Sequence, residues 1–155
     1  MRRSINVLCL SASALMLLPT GVVAQQKSLK EQIQGPWSTV SCNSTDAKGG
    51  KSDYCTNPKG ILILAGNGNY AWTTIASGRK DTNAPGMAAN FGTWSVNEAD
   101  KTLTLHFVGA FNPVNEGKDL KLNINLSGEE MKTAGDLSTI GLQGGHVDST
   151  YRRFK

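Results

Sequence analysis

Residues 58–113 constrain the fold of this 155-residue chain most strongly, because they encode two consecutive β-hairpins. In residues 60–76, apolar and β-branched side chains flank Gly66-Asn67-Gly68, a tripeptide that tolerates the positive φ of tight turns. In residues 90–108, a similar pattern flanks the polar turn at residues 97–100. Four antiparallel strands in chain order form a meander, and a meander with one apolar face must pack on a second sheet or close on itself.

Further strand patterns lie on both sides of this meander. Residues 120–126 (LKLNINL) show the clearest alternation of apolar and polar side chains in the chain. The other three strands are predicted at residues 35–42, 130–134 and 147–154. Ser28 is the expected N-cap of a short helix that ends before Gly35-Pro36. Eight antiparallel strands in chain order predict an all-β, eight-stranded up-and-down barrel with a short N-terminal helix, and a two-sheet sandwich is the alternative.

The longest connection within the meander is residues 77–89 (SGRKDTNAPGMAA). Its many turn-forming residues argue against a strand. Because long loops in compact domains are often lids or binding loops, we predict that this segment is a lid.

The first 24 residues have the order of a secretory signal peptide. Arg2 and Arg3 precede an apolar run at residues 5–18, and small residues lead to a predicted cleavage site after Ala24. The run is shorter than the roughly 20 apolar residues that span a bilayer. We therefore predict an exported protein, periplasmic or secreted, with no membrane span in its mature form and one domain at residues 25–155. The arginine pair leaves twin-arginine export as an alternative route.

The charge pattern does not favour nucleic acid as a partner. The net charge of +4 falls to +2 without Arg2 and Arg3, and the remaining cations are scattered except at the C-terminus. We expect a monomer.

Two cysteines remain after removal of the signal peptide, which contains Cys9. An even pair in an oxidising compartment predicts a disulfide between Cys42 and Cys55, worth about 3 kcal/mol on the chain-entropy argument. The alternatives fit less well, because a redox pair favours C-x-x-C spacing and a metal site needs more Cys or His nearby.

Several motifs along the chain match one known family. Gly35-Pro36-Trp37 is a G-x-W sequence directly after the predicted helix. It is followed in order by NPKG at residues 57–60, FGTWSV at residues 91–96 and LHFVGAFNP at residues 105–113. Over residues 33–131 the chain resembles the bacterial lipocalin-like domain family. The resemblance implies a lipocalin-type barrel with a pocket for a small molecule, and it implies that Trp37 closes one end of the barrel.

In lipocalins an arginine of the last strand lies over the signature tryptophan. The candidates are Arg152 and Arg153, and Arg153 shares a strand face with Val147 and Tyr151 if those two point inward. We therefore expect structural roles for Trp37 and Arg153.

Alternation within each strand predicts which side chains face the interior. This set contains Leu103 together with the candidate pocket residues Tyr70, Trp72, Phe91, Leu105, Phe107, Leu122 and Ile124. Residue types alone leave open whether these side chains pack solidly or line a cavity. The predicted function is binding of a small apolar or amphipathic molecule inside the barrel.

Catalysis finds little support in the sequence. His106 is expected on the outer face and His146 in a turn, neither with the spacing of a metal site, and no G-x-S-x-G or H-E-x-x-H motif is present. We predict no catalytic residues, no metal and no cofactor. Two alternative functions stay open: a periplasmic protease inhibitor or interaction module with a solid barrel core, and a cyclase or isomerase working inside the barrel.

Overall fold

A computed structural model describes residues 27–78 and 86–155 of the chain. Eight antiparallel strands form one closed barrel in chain order, and β8 returns to pair with β1. The up-and-down barrel predicted from the sequence is confirmed, and the two-sheet sandwich is excluded. The elements are α1 (Leu29–Ile33), β1 (Gly35–Thr45), β2 (Pro58–Leu64), β3 (Asn69–Ala76), β4 (Met87–Asn97), β5 (Thr102–Ala110), β6 (Asp119–Ser127), β7 (Glu130–Asp136) and β8 (His146–Arg153).

The main departure from the predicted elements is at the start of β4. Residues 87–89 were expected to belong to the long loop, but they pair with residues 73–75 of β3. The physical reason is that pairing with β3 satisfies backbone groups that a loop would have to expose, and small alanines fit the pleat at no steric cost. Residues 79–85 of the predicted lid lie outside the described part of the chain.

The helix α1 lies against the end of the barrel where β1 begins. Ser28 and Glu31 form a capping box, and the Glu98 carboxylate, in the β4–β5 turn, accepts the backbone N–H groups of Leu29 and Lys30 at 2.8 and 2.9 Å. Because Glu98 lies in the turn between β4 and β5, far from α1 in sequence, these two bonds fix the helix to the barrel in addition to capping it.

Trp37 occupies this end of the interior and is fully buried. Its indole N–H donates to the Ile33 carbonyl at 2.7 Å, and the Arg153 guanidinium lies 3.9 Å from the centre of its ring. Arg153 also donates to the backbone carbonyls of Gln32 and Gln34. The guanidinium therefore links the last strand, the tryptophan and the helix, and we call this end of the barrel the closed end.

A disulfide joins Cys42 of β1 to Cys55, with 5.0 Å between their Cα atoms. Cys55 ends a short 3-10 turn, Asp53–Cys55, in the connection between β1 and β2. The same connection is held by the backbone bond from Ser52 N–H to the Ser44 carbonyl at 2.9 Å. The predicted pairing is present, and it ties this connection to the barrel wall.

No helix within residues 27–78 and 86–155 is long and apolar enough to cross a membrane.

Candidate functional site

The barrel interior is not solid. A cavity of about 480 Å³ lies toward the end of the barrel opposite Trp37, between the strands and the connections that follow β1, β5 and β7. It reaches the surface at Phe111 and Leu142, whose side chains are exposed. We call this end the open end.

One side of the cavity is apolar. Leu105 and Phe107 of β5 and Leu120 and Leu122 of β6 face it and are otherwise buried. These strands are neighbours in the barrel, so their inward side chains form a continuous surface, which we call the apolar wall.

Another side carries hydroxyl groups. Thr133 of β7 and Ser149 and Tyr151 of β8 face the cavity and are 4%, 6% and 4% exposed. Thr133 and Ser149 are paired across the two strands, and Tyr151 is two residues beyond Ser149 on the same face. We call these three residues the hydroxyl wall. A hydroxyl both donates and accepts a hydrogen bond, so this wall can pair with either kind of neutral polar group.

Trp72 of β3 stands between the two walls. The Tyr54 ring, in the 3-10 turn fixed by the disulfide, packs edge-on against it with 6.0 Å between ring centres. Its buried indole N–H has no well-formed hydrogen bond. The indole nevertheless opposes the effect of burial on the pKa of Tyr151, so the two side chains are neighbours. Asn90, its partner on β4, also lines the cavity and has an unpaired buried Oδ1.

Tyr70 and Tyr151 are neutral inside the barrel. Burial raises the pKa of Tyr70 and of Tyr151, and for Tyr151 this outweighs the opposing effects of Ser149 and Trp72. The hydroxyl wall therefore presents a protonated phenol at physiological pH.

The raised pKa values predict a loss of stability at alkaline pH. The folded state holds the protons of Tyr70 and Tyr151 more tightly than the unfolded chain, whose tyrosine pKa is about 10. Their stabilising contribution is complete below that pH and is lost as the pH rises toward the folded pKa values. Urea unfolding at neutral and alkaline pH, with tyrosinate absorbance as a second signal, measures the effect. Tyr70→Phe is expected to reduce the alkaline loss, and an unchanged pH profile in this variant contradicts the assignment.

The predicted pocket residues divide into three groups. Trp72, Leu105, Phe107 and Leu122 line the cavity. Tyr70 and Ile124 are buried in the core without lining it, and the ring centre of Tyr70 lies 6.5 Å from that of Phe107. Phe91 is 55% exposed, so the expectation that it faces the interior is wrong.

The error at Phe91 has a clear cause. Trp94 of the same strand points inward and is 4% exposed, and the period of two places Gly92 and Asn90 inside as well. Phe91 therefore faces outward, where its ring covers Gly109 of β5. Two aromatic residues three positions apart on a regular strand cannot share a face, and Trp94 takes the interior position.

Several lining residues were not predicted. Tyr54 was hidden because it lies in a polar connection, and it reaches the cavity only because the disulfide and Ser52 hold that connection in place. The hydroxyl wall could have been found by extending the inward face of Val147 and Tyr151 to Ser149, which lies midway between them.

Both histidines lie on the outside, as expected for His106. The His106 Nδ1 is 2.8 Å from the Asp119 carboxylate, and the His146 Nε2 is 3.1 Å from that of Asp148. These side chains are about half exposed. His146 begins β8 rather than lying in a turn. Within residues 27–78 and 86–155, no group of three or more His, Cys, Asp or Glu side chains is arranged to hold a metal ion.

The geometry offers an apolar chamber with a few neutral hydrogen-bonding groups, reached from one end. No protein-family model matches the chain, and no curated protein sequence matches it significantly.

Proposed function

We propose that this protein is an exported, lipocalin-like binding protein that holds a small apolar or amphipathic molecule in the barrel cavity. The observation that carries the proposal is the cavity of about 480 Å³. Binding sites for small molecules are typically about 300–1,000 Å³, mostly apolar, with a few polar groups that orient the ligand. The apolar wall and the hydroxyl wall match that description.

The choice of a binding protein over a solid interaction module rests on the same observation. A barrel that acts only through its outer surface has no need for an interior space, and empty interior volume costs stability. Export is supported by the disulfide, because such bonds persist mainly in oxidising compartments. Family membership is supported by the up-and-down barrel and by the Trp37 and Arg153 contact at its closed end.

Filling the cavity tests the proposal. Nile red, a neutral apolar dye, is expected to bind the mature protein with an increase in fluorescence. Leu122→Trp places a larger side chain into the cavity and should weaken this binding by about tenfold or more, because the added ring occupies ligand volume. Since Leu122 faces empty space, the variant should stay folded, which thermal unfolding checks.

The matched control is Asn123→Trp, one position along β6 with its side chain on the exposed outer face. It adds the same ring and should leave dye binding unchanged. The proposal fails if the wild-type protein does not bind the dye, or if Leu122→Trp and Asn123→Trp bind it equally well.

A further inference from the structure

The described residues around the cavity carry no charge. The described lining consists of aliphatic, thioether, aromatic, hydroxyl and amide side chains, with no Lys, Arg, Asp, Glu or His among them. Arg153 is committed to the Trp37 ring and to the carbonyls of Gln32 and Gln34 at the closed end. Both histidines and their aspartate partners lie outside. A charged ligand group placed in the interior would therefore lose its hydration without gaining an opposite charge from the described residues.

Among the described residues, Lys118 brings a cation close to the open end. The Lys118 ammonium donates to the Ile140 carbonyl at 2.9 Å, and Ile140 lines the cavity. This bond holds the ammonium at the backbone of the β7–β8 connection. Lys118 itself does not line the cavity.

The interior does offer neutral hydrogen-bonding groups. Ser149 and Tyr151 present hydroxyls, and the Trp72 indole N–H is buried without a well-formed partner. An unpaired buried donor is costly, so a ligand that brings an acceptor to this side of the interior recovers that cost. Burial raises the pKa of Tyr151, so its hydroxyl stays protonated.

We propose that the cavity selects ligands with an uncharged polar group, such as an alcohol or an ester, and rejects carboxylates and ammonium ions with the same apolar chain. The polar group lies at the hydroxyl wall beside Trp72, and the chain lies along Leu105, Phe107 and Leu122. The inference rests on the proposed binding function and adds the chemical class of the ligand. Its physical basis is that burying an unpaired charge costs far more than burying a hydroxyl that finds a partner.

Competition against Nile red tests this selection with four ligands of one chain length. Decanol and methyl decanoate are uncharged, whereas decanoate and decylammonium carry opposite charges at pH 7. Each neutral ligand is expected to displace the dye at a concentration at least tenfold lower than either charged one. Equal displacement by decanoate and decanol overturns the selection, and loss of decanoate binding in Lys118→Met would then identify the cation responsible. Absence of Nile red binding is a different result, which overturns the binding function itself.

Variants of the hydroxyl wall locate the polar group. Ser149→Ala and Tyr151→Phe each remove one hydroxyl and are expected to weaken decanol binding by about two- to tenfold, the range of one hydrogen bond, after correction for the Nile red affinity measured for each variant. Thr150→Ala is the matched control, because Thr150 lies between them on the same strand and does not line the cavity. The placement is overturned if folded Ser149→Ala and Tyr151→Phe bind decanol as tightly as Thr150→Ala does.

Discussion

Replacement of Trp37 by alanine is expected to lower the free energy of unfolding by about 3–5 kcal/mol. The side chain is fully buried at the closed end, and its indole N–H bonds the Ile33 carbonyl at 2.7 Å. The substitution removes a large side-chain volume from the core. It also removes the aromatic partner of the Arg153 guanidinium, which lies 3.9 Å from the centre of the Trp37 ring in the wild-type protein. Because the total free energy of unfolding of a domain is about 5–15 kcal/mol, this loss is large enough to unfold a domain of low stability.

Chemical denaturation of Trp37→Ala and Trp72→Ala provides the comparison. Trp72 is only partly buried and already borders empty space, so its truncation should cost less stability while weakening dye binding. A loss of less than about 1 kcal/mol in Trp37→Ala would contradict its role in closing the barrel, and equal losses in the two variants would place Trp72 in the structural core.

Gly92→Ala is expected to destabilise the barrel by about 3 kcal/mol, the upper end of the cost of overpacking. A Cβ atom at position 92 would overlap the His106 carbonyl oxygen and lie 2.8 Å from the Val108 backbone nitrogen. Both are backbone atoms of β5 beside an irregularity in its pairing with β4. They cannot move without breaking the ladder, so the strain is not relieved locally.

Gly109→Ala is the matched control on the neighbouring strand. Its Cβ would meet the Phe91 ring, an exposed side chain that is free to rotate into solvent, so the expected loss is about 1 kcal/mol or less. Adding Phe91→Ala should remove most of that loss, whereas the same addition should not rescue Gly92→Ala. Thermal and urea unfolding of the four variants measures these differences. Equal destabilisation by the two glycine substitutions would contradict the expected difference between a clash with backbone atoms at position 92 and a clash with a movable side chain at position 109.

The local sequence determined where the strands, their turns and the helix α1 lie, because turn, alternation and capping patterns involve only residues that are close in sequence. The turn at residues 66–68 set the first hairpin, and alternation at residues 120–126 set β6 within one residue at each end. Ser28 with Glu31 determined the start of α1 through a capping box that spans one helical turn. Eight such strands joined in order leave few arrangements besides a closed barrel.

Where the alternation of residue types along a strand was ambiguous, only the tertiary structure decided which face of that strand points into the barrel. It also decided whether the barrel interior is filled. Phe91 and Trp94 compete for the inner face of β4, and packing against the core gives it to Trp94. Small side chains, among them Ala88 and Ser149, border the cavity and leave part of the interior unfilled. Tyr54 reaches the cavity lining from a connection that is held by the disulfide between Cys42 and Cys55, which are 13 residues apart in sequence. The inner face of β4, the cavity and the position of Tyr54 all depend on contacts between residues far apart in the chain. A local sequence pattern does not predict such contacts.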